Sequence, residues 1–364
     1  MKIKRETLLK PLHMIVGVVE RKQTLPILAN VLVRVSGKEL SLAATDLEVE
    51  LRTRVEIDGA KDEEFTVPAR KLLDICKALP EKADVALEVE GDKAVLRSGR
   101  GRYSLGILPA QDFPGVEEKA TVERFRIGED TLKGLLEKTQ FAMAQQDVRY
   151  YLNGLLLEVQ GGRVRTVATD GHRLALSDRM DDSLEGKDIQ VIVPRKAVME
   201  LGRLLERSDS MVDVEISTSH IKLRIGDTTF ISKLIDGRFP DYERVIPRGE
   251  ADILRANREE LRQALIRTAI LSNEKYRGIR FRVEAGMLEL VAHNPEQEEA
   301  EEKVEVDYSG REVVVGFNVG YLLDVINVLD TENVEFALID ANSSCLIQGE
   351  GRDDTRYVVM PMRL

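Results

Sequence analysis

The residues best spaced to do chemistry lie in the turn Thr169-Asp170-Gly171-His172-Arg173, where a carboxylate and an imidazole stand two positions apart, as in an acid–base pair. Internal comparison argues against catalysis there. A step of 124 residues carries Thr45-Asp46 onto Thr169-Asp170 and then onto His293-Asn294. Asp170 and His172 thereby become Asp46 and Glu48 in one copy, Asn294 and Glu296 in the other. A turn that recurs three times with changing chemistry reads as a strand corner in which Asx side chains bond the backbone. No G-x-S-x-G elbow, phosphate loop or H-E-x-x-H pair occurs. Gly99-Arg100-Gly101 lacks the third glycine and the helix of a dinucleotide fingerprint and reads as a turn. His13 and His220 are isolated, and His293 has no second ligand at a recognisable spacing. No catalytic residue, metal or cofactor is expected.

The elements that carry this corner repeat with it. Val35, Val159 and Val283 keep the step, as do Ala44, Ala168 and Ala292. Around them NVLVRVSGKELSLAATDLE, NGLLLEVQGGRVRTVATDGH and GIRFRVEAGMLELVAHNPE each read as two alternating strands joined at a glycine-containing turn. Val67-Pro68, Val193-Pro194 and Gly316 each end a strand that enters a helix, with stripes Leu72, Ile75, Leu79; Val198, Leu201, Leu205; and Leu322, Val325, Leu329. Pro80 stops the first of these. Leu108-Pro109, Leu234-Ile235 and Met360-Pro361 mark closing strands 126 residues apart, and Phe113-Pro114 matches Phe239-Pro240 at the same step.

Each copy opens on another helix, striped by Leu8, Leu9, Leu12 and Val16, by Leu132, Leu135, Leu136 and Thr139, and by Leu261, Ala264, Leu265 and Thr268. Asp130 and Asn257 are expected N-caps, and Pro11 leaves the start of the first helix unsettled. The predicted fold is α+β: three domains, 1–120, 121–250 and 251–364, each of two helices and mostly antiparallel strands, with linkers near 115–124 and 241–254.

A chain of 364 residues with 43% hydrophobic residues can build a core in each domain. No apolar run reaches the ~18 residues of a membrane span, and MKIKRETLLK is no signal peptide, so no membrane partner and a cytosolic address are expected. Two cysteines are too few for a disulfide framework, and Cys76 reads as a buried thiol. A net charge of -11 taken alone argues against a polyanion partner. Yet Lys10, Lys77, Lys133, Lys138, Lys196, Arg203, Arg258 and Arg262 all lie opposite the apolar helix stripes. They are either ordinary solvated faces or a shared basic surface that meets phosphates without reading bases. Arg97, Arg100 and Arg102 in the first copy face a counterpart in the acidic run Glu296, Glu298, Glu299, Glu301 and Glu302 of the third. That run is either a solvated face or half of a head-to-tail contact, which generates a filament or a ring.

Two stretches stand outside the repeat. The loop Gln145 to Tyr151 offers amides, a cation and two stackable rings, and is either a nucleic-acid contact or core tyrosines beside a solvated loop. The C-terminal stretch Tyr357 to Leu364 ends apolar, as an adaptable methionine-bearing surface or a closing edge strand.

TLPIL (24–28), VPARK (67–71), QDVRYYLNG (146–154), TVATDGHRLA (166–175), DGRFPDY (236–242), AILSNEK (269–275), NPEQEEAEE (294–302), GFNV and the terminal YVVMPMRL together resemble the bacterial sliding clamp family, the beta subunit of DNA polymerase III, across the full length. The resemblance implies the DNA clamp fold and a head-to-tail homodimer, a six-domain ring around duplex DNA without sequence specificity. It implies placement by a clamp loader complex and tethering of the DNA polymerase III catalytic subunit and of other polymerases or repair proteins that carry clamp-binding motifs. It further implies a bacterial cytoplasmic location, at the nucleoid during replication.

The family's DNA contacts fall on Lys22, Arg70, Gln146, Tyr150 and Tyr151. Lys22 departs from an arginine in the family; it, or neighbouring Arg21, keeps the charge without the bidentate fork. One partner cleft per chain falls on Leu152, Thr169, Gly171, His172, Arg173, Leu174, Pro240, Arg244 and Val245, together with Asn318, Tyr321, Ser344, Val358, Met360, Pro361 and Met362. The dimer contact falls on Tyr103 and Leu105 against Ile270 and Leu271, rimmed by Arg100, Arg102, Glu298 and Glu301. Other classes that fit the repeat are a peptide-binding scaffold that never meets DNA and a DNA-processing enzyme.

Overall fold

Strict alternation turns Asn30–Ser36 and Glu39–Thr45 into an antiparallel hairpin, closed at Gly37 with φ 58°, a conformation glycine adopts at no steric cost. Val31, Val33, Leu40 and Leu42 are fully buried, while Arg34 and Ser41 point the other way. The same hairpin recurs as Gly154–Gln160 with Arg163–Thr169 and as Gly278–Glu284 with Met287–His293. The computed structural model describes residues 1–19, 25–116 and 120–363, so Arg21, Lys22 and Thr24 lie outside the described residues.

Six α-helices are described: α1 (Arg5–Ile15), α2 (Ala69–Ala78), α3 (Glu129–Thr139), α4 (Arg195–Leu204), α5 (Arg258–Ala269) and α6 (Val319–Val328). Strands entering α2, α4 and α6 run over Glu63–Pro68, Asp188–Pro194 and Val313–Asn318, where the sequence places them. Leu72, Val198, Leu201, Leu322 and Val325 are buried, and Cys76 is a buried free thiol whose pKa burial pushes up to about 11.

Two compact units follow the sheets: Met1–Lys133 with Lys196–Leu234, and Gly134–Arg195 with Ile235–Leu364. The first holds an eight-stranded sheet in the order 63–68, 30–36, 39–45, 49–56, 228–233, 220–225, 214-containing Met211–Ile216, and Glu123–Gly128. It also holds a four-stranded sheet that ends on Gly101–Gly106. The second repeats the plan: an eight-stranded sheet that joins Arg173–Met180 to Thr355–Val359, and a four-stranded sheet that ends on Glu299–Glu305. The third strand of a copy is thus paired with a last strand twice, as 49–56 with 228–233 and 173–180 with 355–359. Among the described residues, Gly101–Gly106 and Glu299–Glu305 remain sheet edges.

The local expectations need four corrections. Pro11 lies inside α1 with its ring buried, so the helix forgoes one backbone bond there in exchange for apolar contact. Asn257 caps α5, accepting from the amides of Glu259 and Glu260, but α3 starts at Glu129 and Asp130 lies inside its first turn, where a carboxylate suits the helix dipole. The closing bridges fall on Leu108, Ile235 and Met362, opposite Thr66, Ile192 and Gly316; they step by 127, one residue beyond the dipeptide match.

The last correction concerns the helix cations, many of which have protein partners. Lys133 donates to the carbonyls of Gly202 and Leu205 at the end of α4, and Arg258 to that of Leu329 after α6. Arg5 does the same to Cys76 and Lys77 in α2, so in every copy a cation of the first helix satisfies carbonyls that end the second. Lys138 pairs with Asp330, Lys196 with Asp46, Arg203 with Glu200 and Arg262 with Glu259. Lys10 and Lys77 stay exposed.

Candidate partner cleft and nucleic-acid face

The corner that opened the question is held by its own backbone. Thr169 Oγ1 donates to the Arg173 carbonyl at 2.6 Å, and Asp170 Oδ1 accepts from the amides of His172 and Arg173 at 2.9 and 3.0 Å. Thr45 and Asp46 make the same bonds to Val49, Glu48 and Val49, at 2.9, 2.9 and 2.7 Å. In the third copy Asn294 accepts from Glu298. The residue after each Asx, or close to it, takes a positive φ: 78° at Leu47, 89° at Gly171 and 63° at Gln297. The turn is an architectural corner in all three copies, as the changing chemistry predicts.

Within the corner, Gly171 takes φ 89°, which glycine adopts without strain. A Cβ there would lie 2.9 Å from Nη2 of Arg149, whose side chain reaches across from the loop 145–151. Arg149 Nε and Nη2 donate to Asp147 at 3.0 and 2.9 Å, and Nη2 also donates to the Asp170 carbonyl at 3.2 Å. The side-chain bond from Arg149 pulls the Asp147 carboxyl down to about 2. Asn153 closes the loop, accepting from the Asp147 amide and donating to its carbonyl. One guanidinium therefore ties the loop to the corner. Beyond it Val148 is 96% exposed and Tyr150 57%, with the Tyr150 and Tyr151 rings edge to face at 5.7 Å. Gln146 is exposed at φ 55°. The loop thus places Gln146, Tyr150 and Tyr151 together; Arg70, in the first unit, is exposed and donates to the Val19 carbonyl.

On the other side of the corner lies a cavity of about 140 Å³ lined by Leu152, Thr169, Gly171, Arg173, Pro240, Val245, Val358 and Met360, all anticipated, and by Arg149, which was not. Beneath it Leu156, Val167, Leu174, Leu176, Ile192, Phe239, Tyr242 and Val358 form one buried apolar cluster. Arg173 is its polar anchor: Nε donates to Asp170 at 3.1 Å, Nη2 to the Phe141 carbonyl at 2.8 Å, and Nη1 to Asp324. The guanidinium lies over the rings of Tyr321, 4.5 Å from the centroid, and Phe141 at 5.2 Å. Burial, then the neighbouring Asp170, raises the Tyr321 pKa and keeps its hydroxyl protonated.

The other positions expected at the cleft do not line this cavity. His172 is exposed, and its carbonyl accepts from the Met360 amide at 2.9 Å. Asn318 caps α6, accepting from Gly320 and Tyr321, and donates to the Tyr276 carbonyl. Arg244 pairs with Asp241 at 2.7 Å on the surface, Ser344 is half-buried just before the strand Cys345–Gly349, and Pro361 is half-buried. Met362 lines a second cavity of about 400 Å³ with Tyr276, Arg280, Val291 and His293. Phe141 and Asp324 were missed because their link to Arg173 spans 32 and 151 residues. Arg149 had a local signal, since Asp147 two residues earlier fits an Asx turn.

On the edge strand Gly101–Gly106 Tyr103 is 38% exposed and Leu105 half-buried; in the turn that follows α5 Ile270 is 74% exposed and Leu271 half-buried. Part of each charge cluster is already matched: Arg97 and Arg102 with Glu90, Glu302 with Arg267. Arg100, Glu298 and Glu301 are exposed. Among the described residues no group of three or more His, Cys, Asp or Glu is placed to hold a metal, and no helix is long and apolar enough to cross a membrane.

Models of the N-terminal, central and C-terminal domains of the DNA polymerase III beta subunit match residues 1–117, 126–241 and 243–363. The chain belongs to that family. It is 56% identical to the beta sliding clamp of Pseudomonas aeruginosa and 50% identical to that of Escherichia coli K12, each over 100% of this chain and 99% of the relative. A crystal structure of the Pseudomonas aeruginosa clamp bound to griselimycin superposes with a TM-score of 0.96 at 55% identity, covering 100% and 99% of the two chains. The Bartonella birtlesii clamp bound to griselimycin does so at 0.96 and 38% identity, with the same coverage. The protein is a DNA sliding clamp, a processivity factor of replication with an accessory role.

Proposed function

We propose that two chains close head to tail into a ring of six domains, bounded at 1–120, 121–250 and 251–364, that encircles duplex DNA and tethers partners through the Arg173 cleft without doing chemistry itself. The observation that carries this reading is the twice-made join between a third strand and a last strand, which leaves Glu299–Glu305 and Gly101–Gly106 as the two edges without that partner. Pairing these edges between chains repeats a junction the chain already makes twice, with Tyr103 and Leu105 meeting Ile270 and Leu271. Acidic Glu298 and Glu301 would then approach basic Arg100 and Arg102, and the contact is heterologous, closing after two copies.

Within the ring Arg70, Gln146, Tyr150 and Tyr151 contact DNA, as does Lys22, which lies outside the described residues. Such contacts are few and screened, which suits sliding, because dissociation requires opening an interface rather than releasing phosphates. The cleft takes short apolar peptide segments from the polymerase catalytic subunit, the clamp loader and other polymerases or repair proteins, whose effective concentration at the template rises accordingly. The proposed setting is the bacterial cytoplasm. Sedimentation equilibrium tests the closure: a discrete species at twice the chain mass of 40.9 kDa is expected, and a monomer or an open-ended, concentration-dependent series overturns it.

A further inference from the structure

The sheet position that forms the apolar bed of the cleft in the second unit has a counterpart in the first, and its chemistry is reversed. The strand registers fix the equivalence. Leu156 pairs with Val167 and Ile192 as Leu32 pairs with Ala43 and Thr66. Leu176 pairs with Val167 as Arg52 does with Ala43, and Leu174 pairs with Val358 as Glu50 does with Ile231. At this counterpart Val167, Leu174, Leu176 and Ile192 are therefore replaced by Ala43, Glu50, Arg52 and Thr66. Where the second unit packs an apolar cluster, the first leaves an open groove of about 1180 Å³.

Among the described residues five cations line that groove, Arg34, Arg52, Arg54, Lys222 and Arg224, against three carboxylates, Glu50, Glu64 and Asp227. This local excess of positive charge stands in a chain of net charge -11. Glu50 is buried and committed to the fold, accepting from the Val116 amide at 2.7 Å and from Arg52. Arg34 pairs with Glu64 inside the groove at 2.7 Å, Arg54 with Glu39 at 3.7 Å and Arg224 with Glu215 at 3.0 Å, and Arg52 and Lys222 have partners as well. Exposed pairs of this kind are worth about 0–1 kcal/mol, so an incoming carboxylate can displace them.

We propose that this groove binds an extended acidic peptide segment, a second docking site distinct from the apolar cleft. The spacing fits such a ligand. Arg52 and Arg54 stand two residues apart on one strand, roughly 7 Å, the repeat of alternate side chains in an extended chain. Arg34 lies two strands from Arg54 and Arg224 two strands from Arg52, roughly 10 Å each, so two carboxylates at alternate positions are flanked on both sides. Arginine clusters recognise acidic segments in this manner. Protein rather than nucleic acid is the occupant because the groove side chains alternate with Val31, Val33, Leu40 and Leu42, which are buried on the opposite face of the sheet, against the helices; that step takes the helix side of the sheet as the side that meets DNA in the proposed ring.

Fluorescence anisotropy with the intact protein tests the site, using a labelled ten-residue peptide of alternating glutamate and serine. The expected result is saturable binding that weakens at least tenfold in the double variant Arg54→Gln, Arg224→Gln and is unchanged in Met360→Ala. Both arginines are more than half exposed, so the variant should keep the wild-type melting curve. No binding, equal binding by the double variant, or equal binding of a glutamine–serine peptide overturns the proposal. Loss of binding in Met360→Ala would place the peptide in the apolar cleft instead. Tighter, arginine-dependent binding of a ten-residue oligothymidine would overturn the choice of peptide and count against the DNA side, whereas failure of the acidic peptide alone leaves the ring untouched.

Discussion

Removal of the Arg173 side chain tests the anchor of the cleft. Its side chain is 11% exposed, between those of Asp170 at 17% and Asp324 at 44%. Breaking a buried pair by deleting one partner costs about 3–5 kcal/mol, and the solvent at Asp324 argues for the lower end, about 3 kcal/mol. The loss of the bond to the Phe141 carbonyl and of the cation–ring contact with Tyr321 falls within that figure rather than adding to it. The second unit comprises 62 and 130 residues in its two segments, Gly134–Arg195 and Ile235–Leu364. For a body of that size each kcal/mol shifts the melting temperature by about 2–4 °C, so Arg173→Ala should lower the unit's transition by about 6–12 °C. Scanning calorimetry reads this shift, and hydrogen exchange should show faster opening at 169–173 and at the start of α6. Arg173→Lys keeps the charge without the fork and should fall between. A shift under about 2 °C for the alanine variant, or identical melting of the lysine and alanine variants, would refute the anchor argument.

Further outcomes follow from other contacts. Ile270→Ala with Leu271→Ala should yield monomers by light scattering, and an unchanged mass would remove these residues from the interface. Arg149→Ala should raise the Asp147 carboxyl pKa by NMR titration, though not to the ordinary range because the residue-149 amide still donates to it, and should free the loop. Because the folded pKa of Asp147 is depressed to about 2, the latch is intact above the unfolded value near 4 and is lost as pH falls toward 2; loop protection that rises with acidification would contradict it. Tyr150→Ala should leave residence on circular DNA, dimer mass and cleft binding as they were, because a ring is released by opening its interface, and should show only faster diffusion along the DNA in single-molecule tracking; shortened residence on the circle would count against the ring.

Much of the architecture was legible because periodicity records it: the alternation through Val31, Val33 and Val35, with its copies 124 residues on, fixes both hairpin and triplication. The Asx corner was legible for the same reason, since a role shared by Asp46, Asp170 and Asn294 has to be one that all three side chains can fill. What stayed hidden is tertiary. Nothing local tells that Lys133 and Arg258 end helices rather than face phosphates, because their carbonyl partners lie about 70 residues away. The burial of Pro11 and the one-residue shift from Leu234 to Ile235 depend on packing and ladder register, to which a match of residue types is blind. Thr169, Gly171 and Arg173 of the corner, named from the sequence, line the small cavity, whereas Phe141 and Asp324, joined only through Arg173, carried no sequence signal.

The central claim is topological, and linearisation tests it most directly. Protein loaded onto nicked circular DNA should remain bound at a salt concentration that screens phosphate contacts, and should leave once a single cut frees the ends. Retention on the linear molecule, or loss from the uncut circle at that salt, would contradict a closed ring.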